Sequence, residues 1–181
     1  SKLFAQIYGL KFNGQDVTLD KRTELNLTSD DFLEFQDEFE VTFDCEIDFT
    51  KPNSLFGYIF RIINKENNNV DLLSTPTPDQ RLNVVIGSSN SIVQVLHPEN
   101  SFNNWISLRI KFLLSEDRMI FYTADSFYVH NNIGFKQKDE FKIIFGANDY
   151  KQFKTSDVPS INIKNIKLLE KGKLKYHWPL D

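Results

Sequence analysis

From Glu38 to Phe49 the chain alternates without a break. Phe39, Val41, Phe43, Cys45, Ile47 and Phe49 fall on one side, and Glu38, Glu40, Thr42, Asp44, Glu46 and Asp48 on the other. Successive side chains of a strand point to opposite faces, so this period of two sets one face toward a core and the other toward water. The same period returns along the whole chain, and the 3.6-residue period of a helix hardly appears. Thr23–Thr28 places Leu25 and Leu27 together. Trp105–Leu114 places Ile106, Leu108, Ile110, Phe112 and Leu114 opposite Ser107, Arg109 and Lys111. Leu55–Asn64 is apolar on both faces, as expected of a central strand covered on two sides.

Asn67-Asn68-Asn69 makes a turn by asparagine chemistry, and Val70–Ser74 returns from it. Arg81–Ile86 and Ile92–Leu96 read as a hairpin around Gly87-Ser88-Ser89-Asn90. Met119–Thr123, Phe127–His130, Glu140–Gly146 and Ile161–Leu168 bring the total to about a dozen strands separated by polar turns. In Ile161–Leu168 the apolar residues change parity between Ile163 and Ile166, which one extra residue near Lys164-Asn165, a β-bulge, would reconcile. The one helical candidate is a single turn in Ser29–Gln36, with Ser29 as its N-cap. The pattern predicts an all-β fold, a two-sheet antiparallel sandwich, with residues 1–181 as a single domain.

Seventeen Phe, six Tyr and two Trp suit a thick core between sheets, and only seven Gly argue against a glycine-rich phosphate loop. A net charge of −4 excludes a general nucleic-acid binder, which carries a basic stripe. The lysines at 164, 167, 171, 173 and 175 read as the solvated side of a final strand and turn. Cys45 is alone, so no intramolecular disulfide forms, and its place on the apolar side makes it a small buried hydrophobe. No apolar run is long enough to span a membrane. The opening at Ser1-Lys2 and the close at Trp178-Pro179-Leu180-Asp181 read as the ends of a piece taken from a longer chain.

Glu46-Ile47-Asp48 matches the start of the Glu-x-Asp-x-Glu motif of retaining β-glucanases, whose first Glu is the nucleophile and last Glu the acid/base. The third place falls here on Thr50 or Lys51, neither of which donates a proton as a carboxylic acid does, and Pro52 ends the strand. Same-face neighbours on a strand lie about 7 Å apart, whereas retaining chemistry needs carboxyl groups about 5–5.5 Å apart across the scissile bond. The acidic row therefore reads as a solvated sheet face, and an enzyme of the glucanase type ranks third among the functions considered. His97, His130 and His177 stand far apart with no metal-ligand spacing. No nucleophile elbow, Walker loop or dinucleotide fingerprint occurs.

The segment 144-IFGANDYKQFKTSDVPSINIKNIKLLE-170, with 56-FGYIFRII-63, 105-WISLRIKF-112 and 176-YHWPL-180, resembles the concanavalin A-like lectin/glucanase superfamily. It is most similar to the laminin-G-like modules of cell-envelope proteins from Bacteroidetes-type bacteria. The resemblance implies a jelly roll of two antiparallel sheets, a sugar-binding face or loop rim, and an extracytoplasmic location in the periplasm, at the outer membrane surface or secreted. In that setting Tyr-His-Trp-Pro-Leu marks a seam with a following domain.

Sugar binding needs an aromatic plate and planar polar groups. Asn148, Asp149 and Tyr150 supply both in one loop, Asn131 and Asn132 offer a second polar arm, and Trp105 a second plate. Many lectins of the superfamily hold calcium through Asp and Asn. Asn148, Asp149 and Asp157 have that chemistry, but their spacing matches no calcium loop, so no cofactor is expected. Arg61 is the odd residue in its apolar strand and calls for an ion pair with Asp71 or Asp157, because an unpaired arginine there would be costly. The expected function is non-catalytic recognition of a glycan or glycoprotein within a multidomain polypeptide, without nucleic acid and without membrane insertion by this segment. The alternative is a structural module that packs against neighbouring domains.

Overall fold

The computed structural model describes residues 9–48, 50–75, 81–88, 93–96 and 104–180. Phe49, His97, Asn103 and the middle of the turn after Ile86 lie outside the described residues. Fourteen strands appear among the described residues, arranged in two antiparallel sheets. In the first sheet the order is β1 (Leu10–Phe12), β13 (Ile161–Glu170), β4 (Glu38–Ile47), β9 (Ile106–Leu113), β10 (Arg118–Tyr122) and β11 (Phe127–Asn131), and β14 (Lys173–Trp178) also pairs with β13. In the second the order is β2 (Glu24–Asn26), β12 (Glu140–Gly146), β5 (Gly57–Asn64), β6 (Asn69–Thr75), β7 (Arg81–Ile86) and β8 (Val93–Leu96), with β3 (Leu33–Glu34) also on β12. No helix among the described residues is long and apolar enough to cross a membrane.

The alternation of β4 does what its chemistry dictates. Phe39, Val41, Phe43, Cys45 and Ile47 are all buried between the sheets. Phenylalanines fill the gap. Phe39 stacks on Phe35 at 4.1 Å and on Phe112 at 4.8 Å, and Phe43 meets Phe145 edge-on at 5.0 Å. Burial, then the charge of Asp44, pushes the Cys45 thiol up to about 12. That thiol stays protonated and inert, since the thiolate is the reactive form.

The bulge in β13 lies where the parity changes. Lys164 pairs with Asp44 but Lys167 with Thr42, so one extra residue is taken up between them, and Asn165 turns to φ 52°. Ile161, Ile163, Ile166 and Leu168 all reach the core as a result. The helical turn expected in Ser29–Gln36 is not there. Ser29 has φ 48°, outside the extended range an N-cap needs, and the chain instead pairs Leu33 with Phe141. Burying Phe35 against Phe39 and Phe141 outweighs the local preference. β14 extends the first sheet where only a turn was expected, with Trp178 packed on the core edge and stacked on Tyr176 at 5.7 Å. Lys171, Lys173 and Lys175 are exposed as expected, but Lys164 is buried.

At one end of the sandwich Asp16 ties three segments together. It accepts from Lys51 Nζ at 2.6 Å, Ser160 Oγ at 3.2 Å and the Gly14 amide at 3.2 Å, while its own amide donates to Ser54 Oγ at 3.1 Å. The bond from Lys51, outweighing partial burial, lowers the Asp16 carboxyl from 3.8 to about 2. A depressed carboxylate contributes stability that is full above its unfolded value and lost as pH falls through its folded value. Asp16→Asn should therefore cost about 1–2 kcal/mol at neutral pH, after discounting for solvent screening. That difference should vanish between about pH 4 and pH 2, as measured by urea unfolding across the acid range.

Candidate functional site: clefts around the 148–157 loop

The outer face of the second sheet carries Arg61 and Ile63 from β5, Lys142 and Ile144 from β12, and Asn69, Asp71 and Leu73 from β6, alternating with the core residues of the same strands. The loop after β12 folds back over this face. Phe153, at the end of a 3-10 turn over Lys151–Phe153, sits on Ile63 and Ile144 with Tyr150 beside it, which forms a second, smaller apolar cluster. This explains why β5 is apolar on both sides. Ile59, Phe60 and Ile62 face the main core and Ile63 faces the loop.

The loop is closed at its root by a two-way backbone pair between Asn148 and Thr155, each bond 2.9 Å. Asn148 Oδ1 accepts the Tyr150 amide at 3.1 Å and Thr155 Oγ1 accepts the Asp157 amide at 3.1 Å. Gly57 lets the far side of the loop lie close. A Cβ there would stand 2.6 Å from the Asp157 carbonyl, whose oxygen takes the Tyr58 amide at 2.9 Å.

Arg61 pins the loop from below. Its Nε donates to Asp71 Oδ1 at 2.7 Å and its Nη2 to Oδ2 at 2.8 Å, while Nη1 donates to the Phe153 carbonyl. Asn69 Nδ2 donates to Asp71 Oδ2 at 3.0 Å, and the Tyr58 ring lies 4.1 Å from the guanidinium. Burial works against the charge of Arg61, but the forked bond to Asp71 outweighs it and holds the guanidinium above its ordinary value.

Three clefts surround this loop. The first, of about 790 Å3, runs over the Arg61–Asp71 floor past Tyr58, Asn67, Asn69, Gln152 and Phe153. The second, of about 510 Å3, is lined by Glu24, Phe32, Lys65, Lys142, Asp149 and Tyr150. The third, of about 650 Å3, is lined by Asp20, Arg22, Glu24, Asn148, Asp149 and Asp157. The second and third meet at Glu24 and Asp149, and the first and third at Lys154, Thr155 and Asp157.

In the second cleft Phe32 meets Tyr150 edge-on at 6.5 Å. The buried Lys142 ammonium lies 4.9 Å from the Phe32 ring and 5.7 Å from the Tyr150 ring, and it donates to the Ser29 carbonyl. Burial lowers its pKa. Burial, then the charge of Asp149, raises the Glu24 carboxyl.

Of the residues singled out in the sequence, Asn148, Asp149 and Tyr150 belong to this loop and Asp157 stands at its far root. Asn148 is buried, shapes the loop and lines the third cleft, and Asp149 and Tyr150 line clefts as well. The other three are on the first sheet. Asn131 ends β11, where its Oδ1 accepts from Arg118 Nε at 2.9 Å, and Asn132 takes φ 62° in the following turn. Trp105 precedes β9 with the Lys164 ammonium 4.0 Å over its ring. Asp149 and Asp157 do not form a metal cage, and among the described residues no group of three or more His, Cys, Asp or Glu could hold a metal ion. Tyr58, Asn67, Asn69, Gln152, Phe32 and Lys142 were not anticipated. Of these only Tyr58 carried a signal, as an aromatic with a polar tip in an apolar strand.

The carboxylates of β4 face outward on the first sheet, but the row is not simply solvated. Glu40 is only 6% exposed and takes a two-point contact from Arg109, Nε to Oε2 at 2.6 Å and Nη2 to Oε1 at 2.9 Å. Lys111 pairs with Glu38 at 2.8 Å. Ser107 Oγ and Asn165 Nδ2 donate to Asp44 at 2.6 and 2.8 Å, Asn162 Nδ2 donates to Glu46 at 2.9 Å, and the Thr50 amide donates to Asp48 at 3.1 Å. The pairing register sets this up, because it aligns Lys111 with Glu40 and Arg109 with Thr42 across β4 and β9.

No protein-family pattern matches the sequence, and no curated protein is significantly similar to it. Solved structures do match in shape. A heptameric SAP-like pentraxin from Limulus polyphemus aligns over 95% of this chain and 80% of its own, with a TM-score of 0.59 at 13% identity. Alginate lyase PA1167 from Pseudomonas aeruginosa aligns over 83% of this chain and 75% of its own, with a TM-score of 0.56 at 11% identity. CG-16, a homodimeric agglutinin from chicken liver, aligns over 81% of this chain and all of its own, with a TM-score of 0.52 at 10% identity. At these identities the likeness is one of fold, and the fold is a jelly-roll sandwich.

Proposed function

We propose that this protein is a non-catalytic carbohydrate-binding module of an extracytoplasmic polypeptide, and that it binds its glycan in the clefts around the 148–157 loop. The observation that carries this reading is the first cleft. There the Tyr58 ring and the planar amides of Asn67, Asn69 and Gln152 border a floor fixed by Arg61 and Asp71. Apolar ring faces with a few fixed polar groups are what a pyranose needs. Asp149 and Tyr150 extend the same face into the neighbouring clefts. An agglutinin and alginate lyases share the fold, which accords with a surface that handles saccharides. The reading as a binder and not a hydrolase rests on the β4 carboxylates, each already taken up by a neighbouring side chain or amide.

A glycan array followed by titration calorimetry tests the proposal. Tyr58→Ala and Tyr150→Ala should each weaken binding of the best glycan by about tenfold or more, the scale of one lost ring contact. Release of new reducing or unsaturated ends from the bound polysaccharide would make the protein an enzyme. Absence of binding across the array would favour the protein-interaction alternative, for which β11 offers a surface. There Phe127 is 64% exposed and Val129 47%.

A further inference from the structure

The third cleft differs from the other two in its charge. Asp20, Glu24 and Asp149 line it and make no ion pair among the described residues. Arg22, in the same cleft, is committed elsewhere: its Nη1 donates to the Ser156 carbonyl at 2.6 Å and lies 3.9 Å from Asp157. Lys154 stands exposed at the rim. Glu24 and Asp149 are close enough for the charge of one to act on the other. Two like charges in one cleft without a cation between them leave an attraction unused.

A second observation points to a ligand. Asn148 is 4% exposed and lines this cleft, and its Nδ2 has no acceptor. Its orientation is fixed, because Oδ1 already accepts the Tyr150 amide. Arg22 Nε is likewise buried without a partner. Buried donors of this kind are costly to the fold until an acceptor reaches them. A group that completes the cleft must bring an oxygen for these donors and a positive charge for the carboxylates.

We propose that the third cleft takes a saccharide residue bearing a free amine, with its ammonium between Glu24 and Asp149 and a hydroxyl oxygen accepting from Asn148 Nδ2. This rests on the glycan-binding reading and names the class of sugar. A neighbouring residue of the same glycan would continue across Glu24 and Asp149 into the second cleft, against Phe32 and Tyr150.

Titration calorimetry with three matched oligosaccharides, of glucosamine, of N-acetylglucosamine and of glucose, decides the matter. At about pH 6 the free amine of glucosamine is charged. There the glucosamine oligomer should bind at least about tenfold tighter than the other two, a margin that shrinks with added salt. Asp149→Asn and Glu24→Gln should each remove that margin while leaving the melting temperature unchanged. Equal affinity for all three sugars, or a margin that survives both substitutions, overturns the proposal and leaves the glycan reading standing. Binding of some other glycan on the array with none to the glucosamine oligomer does the same. Failure of every glycan to bind overturns both.

Discussion

Arg61→Ala should lower the free energy of unfolding by about 3–5 kcal/mol, the cost of stranding a buried carboxylate. Against a typical total of about 5–15 kcal/mol this is severe, and urea unfolding should show it as a large fall in midpoint. The cost has two sources. Asp71, 3% exposed, would keep only the Asn69 amide, and the Phe153 carbonyl would lose its donor from the sheet. The second loss loosens the 148–157 loop, so glycan affinity should fall along with stability. Replacing both partners separates these effects. Arg61→Met with Asp71→Leu removes both charges and should recover most of the stability, because desolvating an ion pair costs nearly what the pair returns. The loop would still lack its tether, and binding should remain impaired.

Phe39→Ala should cost about 3–5 kcal/mol as well, for a different reason. Its ring bridges the two sheets, stacked on Phe112 within its own sheet and 5.2 Å from Phe141 of the other. It also supports Phe35, which holds the segment leading from β3 into β4. Neighbours this large cannot collapse into the space, so both the lost transfer energy and a cavity weigh on the fold. Phe39→Leu should cost well under half as much. Val129→Ala, on exposed β11, should stay within about 0.5 kcal/mol and serves as a control by the same urea titration.

The strands of the sandwich were legible because alternation is a local property. β4, β9 and β12 could be placed within a residue or two, and the parity change in β13 announced its bulge. What failed depended on distant partners. Ser29–Gln36 has the polarity of a helical turn, and only the phenylalanines it meets in the core make it extended. β14 was hidden by its lysines, although Leu174, Tyr176 and Trp178 recur at every second position. The buried state of Glu40 follows from the register with β9, which no reading of β4 alone contains. At the site, Asn148–Tyr150 stood out as turn chemistry between two strands. The cleft walls come from Phe32, Tyr58, Asn67 and Lys142, four separate segments that meet only because the loop folds back onto the sheet.

The two outer partners of β13 carry a consequence for chain connectivity. β14 ends where Trp178 faces Ile166, β1 begins where Leu10 faces Ile163, and both run in the same direction along the same edge. The Pro179 carbonyl accepts the Asn165 amide at 2.8 Å, at the bulge between them. Residues 180 and 9 are thus brought within roughly 10 Å, a gap that about three residues of linker would close. Between residues 9 and 180 the path of the polypeptide is nearly a ring, and circular permutants opened at the Lys171-Gly172 turn should rebuild the same sandwich. A ring of this kind can also be spliced whole into a surface loop of a host protein, because its entry and exit points lie close together.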